Sequence, residues 1–153
     1  MIGVAMSDAE QPETDTQRKI AAFLEFIESG EHMFSALQWE TVEQGDDQLV
    51  VDLPFDARHS GPRGHLQGGV TATLADYVGG RLAMAGLAAN QLVVTSDLTV
   101  HYLSGIESGL ARAVATRLRA GRGTRVVRVD IFDGIDGPLA AACTVAFRVV
   151  TAG

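Results

Sequence analysis

Residues 68–85 read GGVTATLADYVGGRLAMA, and this stretch decides the fold. It has the length of a helix and almost no charge, and a helix that is apolar or small on all sides belongs inside a protein. One acid interrupts it, Asp76. A carboxylate in such a segment carries a heavy desolvation cost unless it is paired or used. Asp76 therefore points to catalysis, with structural pairing to Arg81 or a backbone donor as the alternative. At ~100° per residue, Gly69, Ala72, Thr73, Asp76, Gly79, Gly80 and Ala83 share one face, while Val70, Leu74, Tyr77, Val78, Arg81 and Met84 share the other. Glycines inside a helix cost ~1 kcal/mol each relative to alanine. Gly79 and Gly80 are expected where another backbone or a ligand comes close.

Gln67-Gly68-Gly69 opens this helix, where unpaired backbone N–H groups and the positive end of the helix dipole can hold a developing negative charge. An oxyanion site needs such donors, although the same triplet also suits a plain turn into a helix. Gly68 and Asp76 lie eight residues apart, ~12 Å at 1.5 Å per residue, so the two cannot reach one carbonyl carbon from the same chain. If both act on one substrate, Gly68 of one subunit meets Asp76 of another, and a two-fold axis supplies that arrangement twice.

Outward from the helix, residues 92–103, 109–119, 124–133 and 138–150 alternate as strands do. Gly121-Arg122-Gly123 and Asp133-Gly134-Ile135-Asp136-Gly137 supply tight turns between them. Upstream, 36–44 and 47–54 are β-prone runs divided by Gln44-Gly45-Asp46-Asp47, and Pro54 and Pro62 bracket a loop. Residues 1–13 read as a disordered tail. Thr14-Asp15-Thr16-Gln17 offers a capping box for a covering helix with Ile20, Phe23, Leu24 and Ile27 on one stripe, stopped at Ser29-Gly30. Six strands around one buried helix, without β-α-β alternation, predict an α+β class with an antiparallel sheet, and residues 14–153 form one domain.

The chain has 153 residues, a net charge of −7 and a pI near 4.9, which disfavours nucleic acid or anionic membrane as a partner. No secretory signal or spanning segment is legible, and a cytoplasmic location is expected. The single cysteine, Cys143, forbids an internal disulfide and reads as a buried strand thiol. His32, His59, His65 and His101 lack metal-ligand spacing, so no metal is expected, and His59 and His65 read as solvated loop residues.

The stretches GHLQGGVTATLADYVGG and VTSDLTVHYLSGIESG together resemble the phenylacetyl-CoA (PaaI-type) and thioesterase superfamily member 2 branches of the hot-dog acyl-CoA thioesterases. The likeness spans roughly residues 45–150. It implies a hot-dog fold, a central helix wrapped by a curved antiparallel sheet. It also implies side-by-side dimers, often paired into tetramers, and metal-free hydrolysis of acyl-CoA. By position it implies that Asp76 is the nucleophile or general base and that the Gly68 N–H polarises the thioester carbonyl. Thr95 falls where a Ser or Thr orients the attacking water. Alternation groups Thr95 with Asp97, Thr99 and His101, and whether that face borders the pocket stays open.

Two departures stand out: Gln67 replaces the usual His and Gly61 the usual Asn, with His59, Ser60 or His65 as candidate substitutes. Gln67 keeps hydrogen bonding but loses imidazole chemistry. Gly69 and Gly80 are expected to border the substrate. Arg119, Arg122 and Arg125 form the densest basic cluster and either hold CoA phosphates, with Arg122 foremost, or decorate a solvated hairpin. The rival functions are a non-catalytic acyl-CoA binding module and a hot-dog hydratase, which usually has a catalytic His beside the acid.

Overall fold

A computed structural model describes Glu25, Ser29, Gly30 and residues 32–151. The expected capping box at 14–17 and the stripe from Ile20 to Ile27 lie outside the described residues, apart from helical Glu25. The expected stop is visible: Ser29 N–H donates to the Glu25 carbonyl at 2.9 Å, and Gly30 has φ +85°. The chain then runs through β1 (Glu40–Gln44), β2 (Gln48–Pro54), α1 (Gly68–Met84), β3 (Gln91–Tyr102), β4 (Leu110–Ala120), β5 (Thr124–Asp133) and β6 (Leu139–Thr151). All neighbouring strands pair antiparallel, in the order β1-β2-β4-β5-β6-β3. Each strand begins and ends close to its expected bounds except β1, because Met33–Ala36 forms a 3-10 turn in place of the first residues of that run.

One core fills the space between α1 and the concave face of the sheet. Leu49, Val51 and Leu53 on β2, Val127, Val129 and Ile131 on β5, and Val145 and Phe147 on β6 are essentially fully buried. The facing positions of β4 are Ala111, Ala113 and Ala115, small enough to seat a helix close to the sheet. The buried stripe of α1 is Thr71, Leu74, Ala75, Val78, Gly79, Leu82 and Ala83. It runs between the two faces drawn from the sequence, so Gly79 points at the sheet. A Cβ on Gly79 would lie 3.4 Å from Phe147 and Val145, and one on Gly80 would lie 3.5 Å from Phe147. The close neighbour within the chain is thus an aromatic ring for both glycines, and Gly80 also lines a cleft.

The carbonyl end of α1 meets two cations. Arg125 Nη1 donates to the carbonyls of Ala83 (2.9 Å) and Ala85 (2.5 Å), and Arg117 Nη2 donates to Ala85 (3.4 Å). Burial, and then the like charge of Arg117, push the Arg125 guanidinium below its ordinary range. The favourable dipole at a helix C-terminus offsets part of that cost. Arg125 is therefore a helix cap, which removes it from the expected phosphate-binding cluster.

Two tests follow from this packing. Gly79→Val forces branched atoms into the Phe147 ring and should lower stability by about 1–3 kcal/mol in urea titration. Cys143, 2% exposed, has its thiol pushed up to about 11 by burial and by nearby Asp130. It should resist alkylation at pH 8 in the native protein and react promptly once denaturant is added.

Candidate active site

Asp76 sits on the flank of α1 that faces β3, half-buried within the chain rather than enclosed. Its carboxylate Oδ1 accepts a hydrogen bond from Thr95 Oγ1 at 2.7 Å. Among the described residues it makes no ion pair with Arg81, whose guanidinium instead donates to Thr41 Oγ1 (2.9 Å) and Gln44 Oε1 (3.1 Å).

A β-bulge is what aims Thr95 at Asp76. Thr95 pairs with Phe147 and Asp97 with Ala146, so Ser96 is the extra residue, and its hydroxyl donates to the Ala146 carbonyl at 3.1 Å. Directly opposed residues share a face. Thr95 therefore shares the concave face with buried Phe147, while Asp97 turns to the convex face with Thr99 and His101. The sequence grouping of Thr95 with Asp97, Thr99 and His101 is corrected on this point, because one inserted residue reverses the alternation.

Asp76 and Thr95 open into a cleft of about 770 Å³ whose floor includes Gly80 and Phe147. Its wall is an aromatic set absent from the sequence reading. Trp39 stacks on Tyr77 with centroids 4.3 Å apart, and Phe34 meets both rings edge-on at 6.0 and 5.6 Å. Arg81 and Met84 close the far end. Aromatic residues at 34, 39 and 77 carried no periodic signal that would have joined them, since the 3-10 turn before β1 folds Phe34 back over α1.

Gln67 and Gly68 border a different hollow, of about 330 Å³, together with Gly61 and His65. Gln67 makes no side-chain capping bond to the helix. Val70 and Thr71 N–H both donate to the Gln67 carbonyl, and no backbone partner within the described residues takes the N–H of Gly68 or Gly69. Tyr102, which carried no role in the sequence reading, donates its hydroxyl to the Gly68 carbonyl at 2.7 Å and packs over the Gly68 Cα. Gly69 is exposed, with open space where a Cβ would stand.

Of the loop histidines read as solvated rather than ligating, His59 is enclosed, a correction to its reading, while His65 stays partly exposed. His59 Nδ1 accepts from Asp56 N–H at 3.4 Å and Nε2 lies 3.0 Å from the Ala36 carbonyl. His65 Nε2 pairs with Glu107 at 2.7 Å. Ser60 donates to the Asp56 carbonyl at 2.9 Å. Arg122 is exposed on the β4–β5 turn beside exposed Arg119, away from the residues lining either hollow. No helix among the described residues is long and apolar enough to cross a membrane.

Comparison with known proteins places this geometry. The family profile described as Thioesterase superfamily matches residues 63–140, the segment from the loop before α1 into β6. The 1,4-dihydroxy-2-naphthoyl-CoA hydrolase of Escherichia coli is 30% identical over 89 residues, covering 58% of this chain and 65% of that protein. This chain therefore aligns with a little under two thirds of that relative. A thioesterase from Haemophilus influenzae superimposes with a TM-score of 0.73 at 28% identity, covering 79% of this chain and 84% of that one. A Bacillus halodurans protein crystallised with CoA superimposes with a TM-score of 0.71 at 27% identity, covering 89% of each chain.

Proposed function

This chain belongs to the thioesterase superfamily, and on that premise we propose that it hydrolyses acyl-CoA thioesters as a homodimer whose active sites each draw on both subunits. The observation that carries the reading is the Thr95–Asp76 hydrogen bond of 2.7 Å at the edge of an aromatic cleft. Thr95 occupies Oδ1 and leaves Oδ2 to take a proton from water. The water oxygen then attacks the thioester carbonyl carbon. The resulting oxyanion is held by the unpaired Gly68 N–H of the other subunit, reinforced by the positive end of α1. When the C–S bond breaks, the CoA sulfur leaves with the proton that Asp76 had taken. A thioester carbonyl is already electrophilic and its thiolate leaves readily, so one carboxylate and one oxyanion donor suffice.

Around these two groups the remaining residues have supporting tasks. The Tyr102 hydroxyl, bonded to the Gly68 carbonyl, holds Gly68 in place and fixes the peptide plane that carries the Gly69 N–H. Gln67, exposed beside Gly68, offers an amide to the carbonyl oxygen in the place of the family's imidazole. Gly69 presents a second bare N–H where its missing Cβ leaves room, and Gly80 forms the floor on which the acyl group lies. Arg122, with Arg119, stands where a phosphate can be reached by planar, two-pronged donors. The relatives' CoA chemistry and CoA binding support the choice of acyl-CoA. An acidic chain with no spanning helix among its described residues is consistent with a cytoplasmic enzyme.

Asp76→Asn should lower kcat by about a thousandfold while leaving CoA affinity in place, read as free thiol release from a panel of acyl-CoA esters. Turnover like the wild type would remove Asp76 from the chemistry, and tight binding without turnover by the wild type would favour a binding module. Gly68→Pro removes the N–H at a helix position that tolerates proline and should cost about a hundredfold. Refolding these two inactive variants together should restore about a quarter of wild-type activity, since half the random dimers carry one intact site. No recovery on mixing would show that each subunit works alone.

A further inference from the structure

Arg81 lies in the cleft as a cation without an anion among the described residues. Its guanidinium carbon sits 5.7 Å from the centroid of the Tyr77 ring, and among the described residues its hydrogen bonds go to Thr41 and Gln44, both neutral acceptors. Among the described residues no carboxylate lies within ion-pair distance of it. The register of β1 explains why. Thr41 pairs with Val51 and Gln44 with Leu49, both on the buried concave face, and a bulge between Thr41 and Glu43 brings the two side chains to the same side. Glu40 pairs with Asp52 and Glu43 with Val50, so the acids of β1 turn away from the helix. An arginine clamped by neutral groups, half-buried and walled by aromatic rings, keeps most of its charge and several of its five N–H donors unspent.

We infer that Arg81 is a substrate-specificity residue that recognises an anionic group, a carboxylate, at the far end of the acyl chain. The inference rests on the acyl-CoA reading above. Arg81 follows Asp76 by five residues, ~7.5 Å along the helix axis and roughly 140° around it, and both side chains line one cleft, so Arg81 can meet a group several carbons beyond the carbonyl under attack. Gly80 and Phe147 form the floor between them and would carry the methylenes. Arginine is suited to the end group because its planar fork meets a carboxylate through two parallel hydrogen bonds. The dicarboxylic monothioester is therefore the class of substrate that fills the cleft and supplies Arg81 with the anion it lacks among the described residues.

The test compares adipoyl-CoA with hexanoyl-CoA, two esters of equal chain length that differ in the terminal carboxylate. Wild type should favour adipoyl-CoA in kcat/KM by about tenfold or more. Arg81→Gln should collapse that ratio to near one through loss on the adipoyl ester, and Arg81→Lys should keep part of the preference because it keeps the charge. Equal loss on both esters in Arg81→Gln, or no preference in wild type, would overturn the inference and leave Arg81 a clamp between α1 and β1. Affinities of the two esters for the Asp76→Asn protein separate the two readings. A preference for adipoyl-CoA in binding supports Arg81 recognition even where hydrolysis is absent, whereas equal affinity counts against it even where hydrolysis is fast.

Discussion

The seating of the Phe147 ring against Gly79 and Gly80 sets the spacing on which the rest of the molecule depends. Two glycines weaken a helix by ~1 kcal/mol each, yet burying a phenylalanine returns about 1.5–3 kcal/mol, so the local balance is close to even. What the contact secures is position. Phe147 belongs to β6, β6 pairs with β3, and Thr95 is the residue of β3 opposite Phe147. The depth to which the ring fits under α1 thereby fixes how far the Thr95 hydroxyl stands from the Asp76 carboxylate.

The two ends of α1 are treated differently, and the difference suits an oxyanion site. At the carbonyl end, Arg117 and Arg125 meet the last turn, and the Nε of each has no hydrogen-bond partner among the described residues. Buried cations there cost desolvation but cancel the negative pole of the helix. At the amide end nothing comparable occurs: Gln67 withholds its side chain and the first glycines keep their N–H groups bare. The positive pole is the one left to act on whatever approaches.

Much of this architecture is legible in the residue order. The all-round apolarity of residues 68–85 marks the central helix, and the alternation from residue 92 onward marks four strands, because each depends only on local spacing. Asp76 stands out because it is the one acid where acids are costly. The aromatic wall does not stand out, since Phe34, Trp39 and Tyr77 meet only after a 3-10 turn folds one segment over another. Arg125 looks like one of three surface arginines until the concave face of β5 turns it toward α1. Tyr102 is plain in the strand, but the bond it makes reaches 34 residues back in the chain.

The bulge at Ser96 works as a phase shift. Before it, odd-numbered positions of β3 face the helix, and after it even-numbered positions do, so the strand carries two reading frames joined at one serine. Losing Ser96 would remove the bulge yet leave every other residue opposite its present partner, whereas a residue lost from either flank with the bulge kept would turn that flank inside out. Evolution can therefore revise the chemistry of this strand letter by letter, and the one change of length that leaves every facing where it is falls at residue 96.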